Sequence, residues 1–263
     1  MRIFYILILS SLLTLLLLWL GIFEKLKKKY AAIISAVIMT AAGVLLALAV
    51  LPGNSFYGDV LTHKAVERKV IALTFDDGPY PPYTQQLLQV LQDKNVHATF
   101  FMVGENAAKH PEIVEAVQKS GHEIALHAGK HQDLLKLDAA ELQKNIATGK
   151  SSLEAITGTK IRFIRPPHGF KDWQTASVIQ NAGLTMVNWS IIPRDWTNPG
   201  ADTIAARVVN HVKPGDIVLL HDGDSPKMQA PREQTVAATA KIIDQLRAQG
   251  YDFVTVGELT SSK

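Results

Sequence analysis

The chain has 263 residues and no cysteine, so it carries neither disulfides nor thiolate metal ligands. Its net charge of +3 is gathered at one end: residues 1–58 hold Arg2, Lys25, Lys27, Lys28 and Lys29 against Glu24, and the remainder is near −1 with all nine histidines. A nearly neutral domain of this size, large enough for one sizeable core or two small ones, lacks the basic footprint of a nucleic-acid binder.

Two apolar runs come first, Ile3 to Phe23 and Ala31 to Leu51. Each is long enough to cross a hydrocarbon layer of roughly 30 Å as a helix. The hydroxyls of Ser10, Ser11 and Thr14 are expected to bond back to helix carbonyls. Between the runs lies the basic loop of residues 24–29, which charge asymmetry assigns to the cytoplasmic side. Residues 1–52 therefore read as a membrane anchor in contact with lipid, a two-helix hairpin whose ends both face outward. Arg2 and, after the second run, Lys64, Arg68 and Lys69 oppose that orientation. A rival reading makes the second run a signal sequence cleaved after Ala47-Leu-Ala49, which gives the same outside location for a released protein.

Residues 53–65, with Gly53, Asn54 and Gly58, read as a linker, and residues 66–263 as the globular domain. There, short apolar runs rich in β-formers recur at Val70–Phe75, Ala98–Val103, Glu123–Leu126, Ile161–Ile164, Thr185–Trp189, Ile217–Leu220 and Phe253–Val256. Helical patterns separate them. Tyr83–Lys94 puts Leu87, Leu88 and Leu91 on one face, and Pro111 opens the next helix at its favoured first position. Asp138 and Glu141 form a capping box for a helix ending near Gly158; further helices run from Trp173 to Ala182, from a cap at Asp202 to His211, and from Glu233 to Gly250. Seven near-continuously apolar strands alternating with helices imply an α/β architecture with a parallel sheet, as an open doubly wound sheet or as a barrel.

The ends of those strands carry the chemistry. Asp76 and Asp77 follow the first, His127 the third, Arg165 the fourth, Asp195 the fifth and His221 the sixth. In parallel β/α folds such ends share one rim, where active sites lie. Asp-Asp-Gly-Pro is also ordinary turn chemistry and two histidines four apart are often only a surface pair; the convergence of all these groups is what argues for a site. His127 and His131 with one rim aspartate make three metal ligands and leave a fourth position for water, the catalytic zinc pattern. The second aspartate is then free to act as a base, with Arg165 holding it ionised. Asp195 would favour a protonated His221, suited to general acid chemistry, beside an apolar recess of Trp196 and Leu219.

The residues 66–259 resemble the polysaccharide deacetylases of the NodB-homology type (carbohydrate esterase family four). Thr74-Phe-Asp-Asp-Gly78, His127-Ala-Gly-Lys-His131, Arg165-Pro-Pro-His-Gly169, Asp195-Trp196 and Leu219-Leu-His221 stand in the family's order. The resemblance implies a distorted (β/α) barrel of about seven strands and a divalent ion, with Zn2+ the one expected. It implies Asp76 as base, Asp77, His127 and His131 as ligands, and His221 as acid. Arg165 would steady the base, and the main-chain N–H of His168 would help to hold an oxyanion. Three positions depart from the pattern: Ala128 replaces a Ser or Thr, His168 an aromatic residue, and Ile192 an aspartate.

The function so implied is metal-dependent N-deacetylation of a cell-surface N-acetylated glycan, either peptidoglycan amino sugars or chitin-like oligosaccharides, by an enzyme of the cell membrane with its catalytic domain outside. The alternatives are a non-catalytic glycan-binding protein on the same scaffold and an O-acetyl esterase. No obligate protein partner is evident.

Overall fold

The computed structural model describes residues 2–261. The two apolar runs form antiparallel helices, α1 (Ile3–Ile22) and α2 (Lys28–Val50), each long and apolar enough to cross a membrane by length and composition. Most of their large side chains face outward, so neither helix is a core helix of a soluble domain. Their seam is lined by small residues: Gly21 packs on Ala31, and Ser35, Ala42 and Ala49 are buried along α2. Small side chains allow helix backbones to approach where lipid offers no hydrophobic incentive. Ser11 Oγ donates to the Leu7 carbonyl as anticipated, whereas Thr14 Oγ1 is buried with no hydrogen-bond partner.

The expected linker runs along the globular domain rather than away from it. Leu61 bridges Val187 in parallel, His63 bridges Asp216, and Tyr57 is buried.

Seven parallel strands follow: β1 (Val70–Asp76), β2 (Thr99–Met102), β3 (Glu123–Leu126), β4 (Phe163–Ile164), β5 (Thr185–Met186), β6 (Ile217–His221) and β7 (Asp252–Phe253). The sheet order is β5-β4-β3-β2-β1-β6, and β7 pairs with the first two residues of β1. β1 is buried throughout, as a central parallel strand flanked on both edges must be. Between β5 and β6 the ladder is interrupted, and the single bridges Leu61–Val187 and Ile191–Val218 draw the two edges together. The sheet is thus curled into an incomplete (β/α) barrel, as the family resemblance implied. β4 and β5 are only two residues long, shorter than their apolar runs: β4 begins two residues late, and after β5 the chain turns aside toward the rim.

The helices α3 (Tyr83–Asp93), α4 (Gly104–Lys109), α5 (Pro111–Lys119), α6 (Ala139–Thr157), α7 (Trp173–Asn181), α8 (Ala201–Val209), α9 (Glu233–Ala248) and α10 (Val256–Ser261) complete the domain. α6 has the anticipated capping box of Asp138 and Glu141 and ends on left-handed Gly158. α8 differs: Gly200 is its N-cap, and Asp202 lies in the first turn, where its carboxylate pairs with Lys241. A short polar side chain inside the first turn reads in sequence much like a cap one residue earlier. The main core packs Leu73 and Phe75 of β1 and Phe100 of β2 against Leu87, Leu91, Ile242 and Ile243 of the covering helices.

Candidate active site

β1 delivers the first two carboxylates. Asp76 is its last residue, and Asp77 adopts a left-handed backbone, φ 79°, which sends the two side chains in different directions. Gly78 must be glycine here, because a Cβ would overlap the buried carboxylate of Asp222. Asp222 accepts from Gly78 N and Thr84 Oγ1, and Asn106 donates to the Asp77 carbonyl, so the turn is held from both sides. Burial pushes the Asp222 carboxyl up to about 7, with the charges of Asp77 and Asp76 adding to the effect.

Asp76 is bound by Arg165. The guanidinium is completely buried, donates to Asp76 Oδ1 at 2.6 Å and to Thr74 Oγ1 at 2.9 Å, and reaches the carbonyls of Val187 and Asn188. It also lies 4.0 Å over the Phe101 ring. Burial lowers the guanidinium from its ordinary value and the Asp76 charge opposes that shift. A group with this many fixed donors and a charged partner is held rigid, and it holds Asp76 with it.

The two histidines reach the same point from a wound loop, not from a helix. His127 follows β3, and Ala128 has φ 67°, which folds the chain back so that His131 returns to its neighbour. His127 Nδ1 donates to the Arg165 carbonyl at 2.8 Å, so Nε2 carries the lone pair and faces the site. His127 Nε2 is 3.4 Å and His131 Nε2 3.3 Å from one atom, Asp77 Oδ1. Ligand atoms of the three residues lie within 4.8 Å of one another. Asp77 Oδ1 is buried without a hydrogen-bond partner, facing two imidazole nitrogens. A buried carboxylate oxygen left in this state is the donor set of a cation site, and the residues fit a divalent ion.

Charge agrees with geometry. Burial raises the Asp77 carboxyl, but His127, His221 and His131 outweigh it and hold the group well below the usual carboxylate range. Burial and the neighbouring His127 lower His131 to about 4, leaving it neutral and able to ligate at physiological pH. The histidine loop is braced by Asn145 of α6, whose Oδ1 accepts from Gly129 N and Lys130 N and whose Nδ2 donates to the Lys130 carbonyl.

Across the cleft, His221 ends β6. Its Nδ1 is 2.9 Å from Asp195 Oδ1, and its backbone N–H donates to Asp195 Oδ2. Thr235 Oγ1 also donates to Asp195, which is wholly buried. Burial pulls His221 down, but the charge and hydrogen bond of Asp195, with Asp77 and Asp76 behind, raise it to about 9. Asp195 does not sit at a strand end as expected. It lies in a short 3-10 turn, Asp195–Thr197, nine residues beyond β5, brought back by the excursion that bridges Ile191 to Val218.

The cleft, about 500 Å³, is walled by Trp196, Leu219, Trp189, Phe170 and Pro52. Trp196 is partly exposed, with its ring edge-on to His221 at 5.2 Å; Leu219 is buried in β6. His168, in a left-handed turn (φ 62°), stands beside His131 at 5.3 Å, and Ile192 forms an exposed apolar part of the wall. Every residue singled out from the sequence is therefore in or beside this one cleft. Missed were Thr74, Asn106, Asn145, Asn188, Asp222 and Thr235, all of which position others. Their types carry no signal of their own; Thr74 opens the Thr74–Gly78 motif without having been given a role, and Asp222 directly follows His221.

The same shape occurs in known proteins. The polysaccharide deacetylase family model matches residues 63–187. A peptidoglycan-N-acetylglucosamine deacetylase of Bacillus cereus is 44% identical over 197 residues, which span 74% of this chain and 90% of that protein. A chitooligosaccharide deacetylase of Sinorhizobium fredii is 37% identical over 187 residues, 69% of this chain and 87% of its own length. The crystal structure of a peptidoglycan N-acetylglucosamine deacetylase bound to 4-naphthalen-1-yl-N-oxidanyl-benzamide superposes with a TM-score of 0.72 at 33% identity, covering 78% of this chain and 94% of that one. With this likeness extending over nearly the full length of these relatives, the chain belongs to the polysaccharide deacetylase (NodB-homology) family of hydrolases.

Proposed function

We propose that the chain is a membrane-tethered, divalent-metal-dependent N-deacetylase of external N-acetylated glycans, acting first on peptidoglycan amino sugars and second on chitin-like oligosaccharides. The observation that carries this reading is the orphaned Asp77 Oδ1 faced by two imidazole nitrogens, with an arginine-held carboxylate on one side and an aspartate-held imidazole on the other. Such an ion, when bound by Asp77, His127 and His131, polarises a carbonyl and lowers the pKa of water; Zn2+ suits two imidazoles and one carboxylate. Asp76, held in place by Arg165, takes the proton from the attacking water. His221 is raised to about 9 and so is protonated at neutral pH; it gives its proton to the departing amine nitrogen as the C–N bond breaks. Asp195 holds that imidazole by Nδ1, leaving Nε2–H as the donor. The backbone N–H of His168 serves the developing oxyanion. Water and the acetamide are thus converted to acetic acid and a free amine; the acid loses its proton to solvent as acetate, and passage of the proton taken by Asp76 to His221 restores the starting state.

Retention of the anchor is supported by Ala49, which is buried, with its carbonyl bonded to Lys171 N. A site for signal cleavage needs extended, accessible backbone. Arg2, the basic residue that opposed the assigned orientation, is buried against Asp172 rather than free to face the cytoplasm.

Acetate release from acetylated peptidoglycan fragments and chitooligosaccharides tests the reading. Release should stop with chelator and return with added zinc. Release that persists at full rate after complete metal removal would exclude the metal-dependent mechanism, and none under any condition would leave a glycan-binding protein.

A further inference from the structure

Lys171 and Asp172 are consecutive, oppositely charged and fully buried, and neither belongs to the cleft. Each grips one end of the membrane hairpin. Asp172 Oδ2 accepts from the N–H of Ile3, the first helical residue of α1, and Oδ1 pairs with Arg2 at 3.2 Å. Arg2 also donates to the Leu134 carbonyl. Lys171 N donates to the Ala49 carbonyl, and its ammonium to the carbonyls of Leu51 at 2.8 Å and Pro52 at 3.2 Å, at the end of α2. A carboxylate at a helix N-terminus and an ammonium at a helix C-terminus both satisfy the orphan backbone groups and oppose the helix dipoles. The helices are antiparallel, so one dipeptide serves both ends. Burial draws Lys171 down to about 8, which leaves it charged at neutral pH. Ile3, Ala49, Tyr57 and Leu135 close an apolar patch around the pair.

Two further observations bear on what lies beneath. Phe56 and Trp173 are exposed aromatics 5.6 Å apart, beside Tyr57 and next to the clamped helix ends. Aromatic side chains at the end of a span are those that settle in lipid headgroups. Pro52, whose carbonyl also accepts from Asn188, is a wall of the catalytic cleft and stands two residues beyond the last residue of α2. A stretch of two residues reaches at most roughly 7 Å. A 23-residue helix is about 35 Å long, enough to fill a hydrocarbon core of roughly 30 Å, so its end is at the membrane surface.

We propose that Lys171 and Asp172 form a socket that seats the catalytic domain directly on the membrane, with Phe56 and Trp173 in the headgroup layer and the cleft opening at that level, so that its substrate is an N-acetylated saccharide carried on a membrane lipid. This rests on the deacetylase reading. A domain on a loose tether ranges outward into polymer. A clamped one meets sugars held at its own height.

The test uses the full chain reconstituted in phosphatidylcholine–phosphatidylglycerol vesicles and one acetylated chitooligosaccharide in three forms: soluble, coupled to a dialkylglycerol by a short spacer, and coupled by a long polyethylene glycol spacer. Any tethered enzyme gains from lipid attachment, so the spacer comparison is decisive. Acetate release should be roughly tenfold or more faster from the short-spacer lipid than from the long one, because effective concentration depends on matching reach. Arg2→Gln and Trp173→Gln should each erase that advantage while leaving the soluble rate unchanged, which also reports folding. Equal rates on the two spacers, or preference for the long one, with normal soluble activity would overturn the socket and leave the deacetylase reading standing. Retention of the short-spacer advantage in both variants would do the same. No acetate from any form would remove the deacetylase reading and this inference with it.

Discussion

At the rim, Asp76, Asp77 and Asp195 lie buried beside His127, His131, His221 and Arg165; along the seam between α1 and α2, contact is made by Gly21, Ala31, Ser35, Ala42 and Ala49. One region is built from charges that are expensive to bury unless each finds its partner, the other from side chains that ask only for space. The rim is therefore specific and brittle: removing one partner strands another. The hairpin is tolerant along its length and becomes specific only at its two clamped ends. A chain can thus join a demanding site to an undemanding helix pair, provided that the junction between them is polar.

That contrast can be pressed experimentally, beginning where the loss should be greatest. Asp76→Asn should lower acetate release by roughly 10²- to 10⁴-fold, the usual contribution of a positioned base, with bound metal unchanged by elemental analysis. An unaltered rate would mean that the base is elsewhere. Arg165→Met leaves Asp76 buried without its cation, and urea denaturation should show a loss of about 3–5 kcal/mol. Asn145→Ala removes the brace of the histidine loop; metal affinity, followed by competition with a chelating dye, should weaken roughly 10- to 100-fold, as for other residues that orient ligands.

A pH profile sharpens the comparison further. His221 is raised to about 9, so its imidazolium is present below that pH and lost as pH rises through it. The rate should accordingly fall on an alkaline limb near 9. Asp195→Asn removes the charge that opposes burial, so the limb should move to lower pH; a limb that stays in place would separate Asp195 from the acid. The smallest effect belongs to a pair outside both regions. Asp202→Ala breaks an exposed contact with Lys241 and should change stability by no more than about 1 kcal/mol.

Much of this was legible in the amino-acid order. The apolar runs of α1 and α2 declare themselves by length, and the seven strands by short apolar segments between helical periods. Asp76, Asp77, His127, Arg165 and His221 all stand at or just after strand ends, with His131 four residues on from His127, and a parallel sheet brings such ends to one rim whatever the intervening helices. Local chemistry also identified the α6 capping box and Pro111, since caps involve only near neighbours. Less legible were elements whose meaning depends on a distant partner. Asp195 reaches His221 only because the chain after β5 leaves the sheet and bridges β6. Asn145 braces the loop from 15 residues away on α6, and Thr235 holds Asp195 from 40 residues away on α9.

The division follows from how far each interaction reaches along the chain. Periodicity, capping and strand-end placement are decided by residues within a few positions of one another, so the order of amino acids by itself determined the hairpin, the alternating β/α pattern and the set of rim residues. Tertiary structure decided the tautomer of His127, the orphaned oxygen of Asp77, the incomplete closure of the barrel and the clamping of the hairpin by Lys171 and Asp172. Each of those depends on hydrogen bonds or buried charges between segments far apart in sequence, and nothing local marks a residue as half of such a pair.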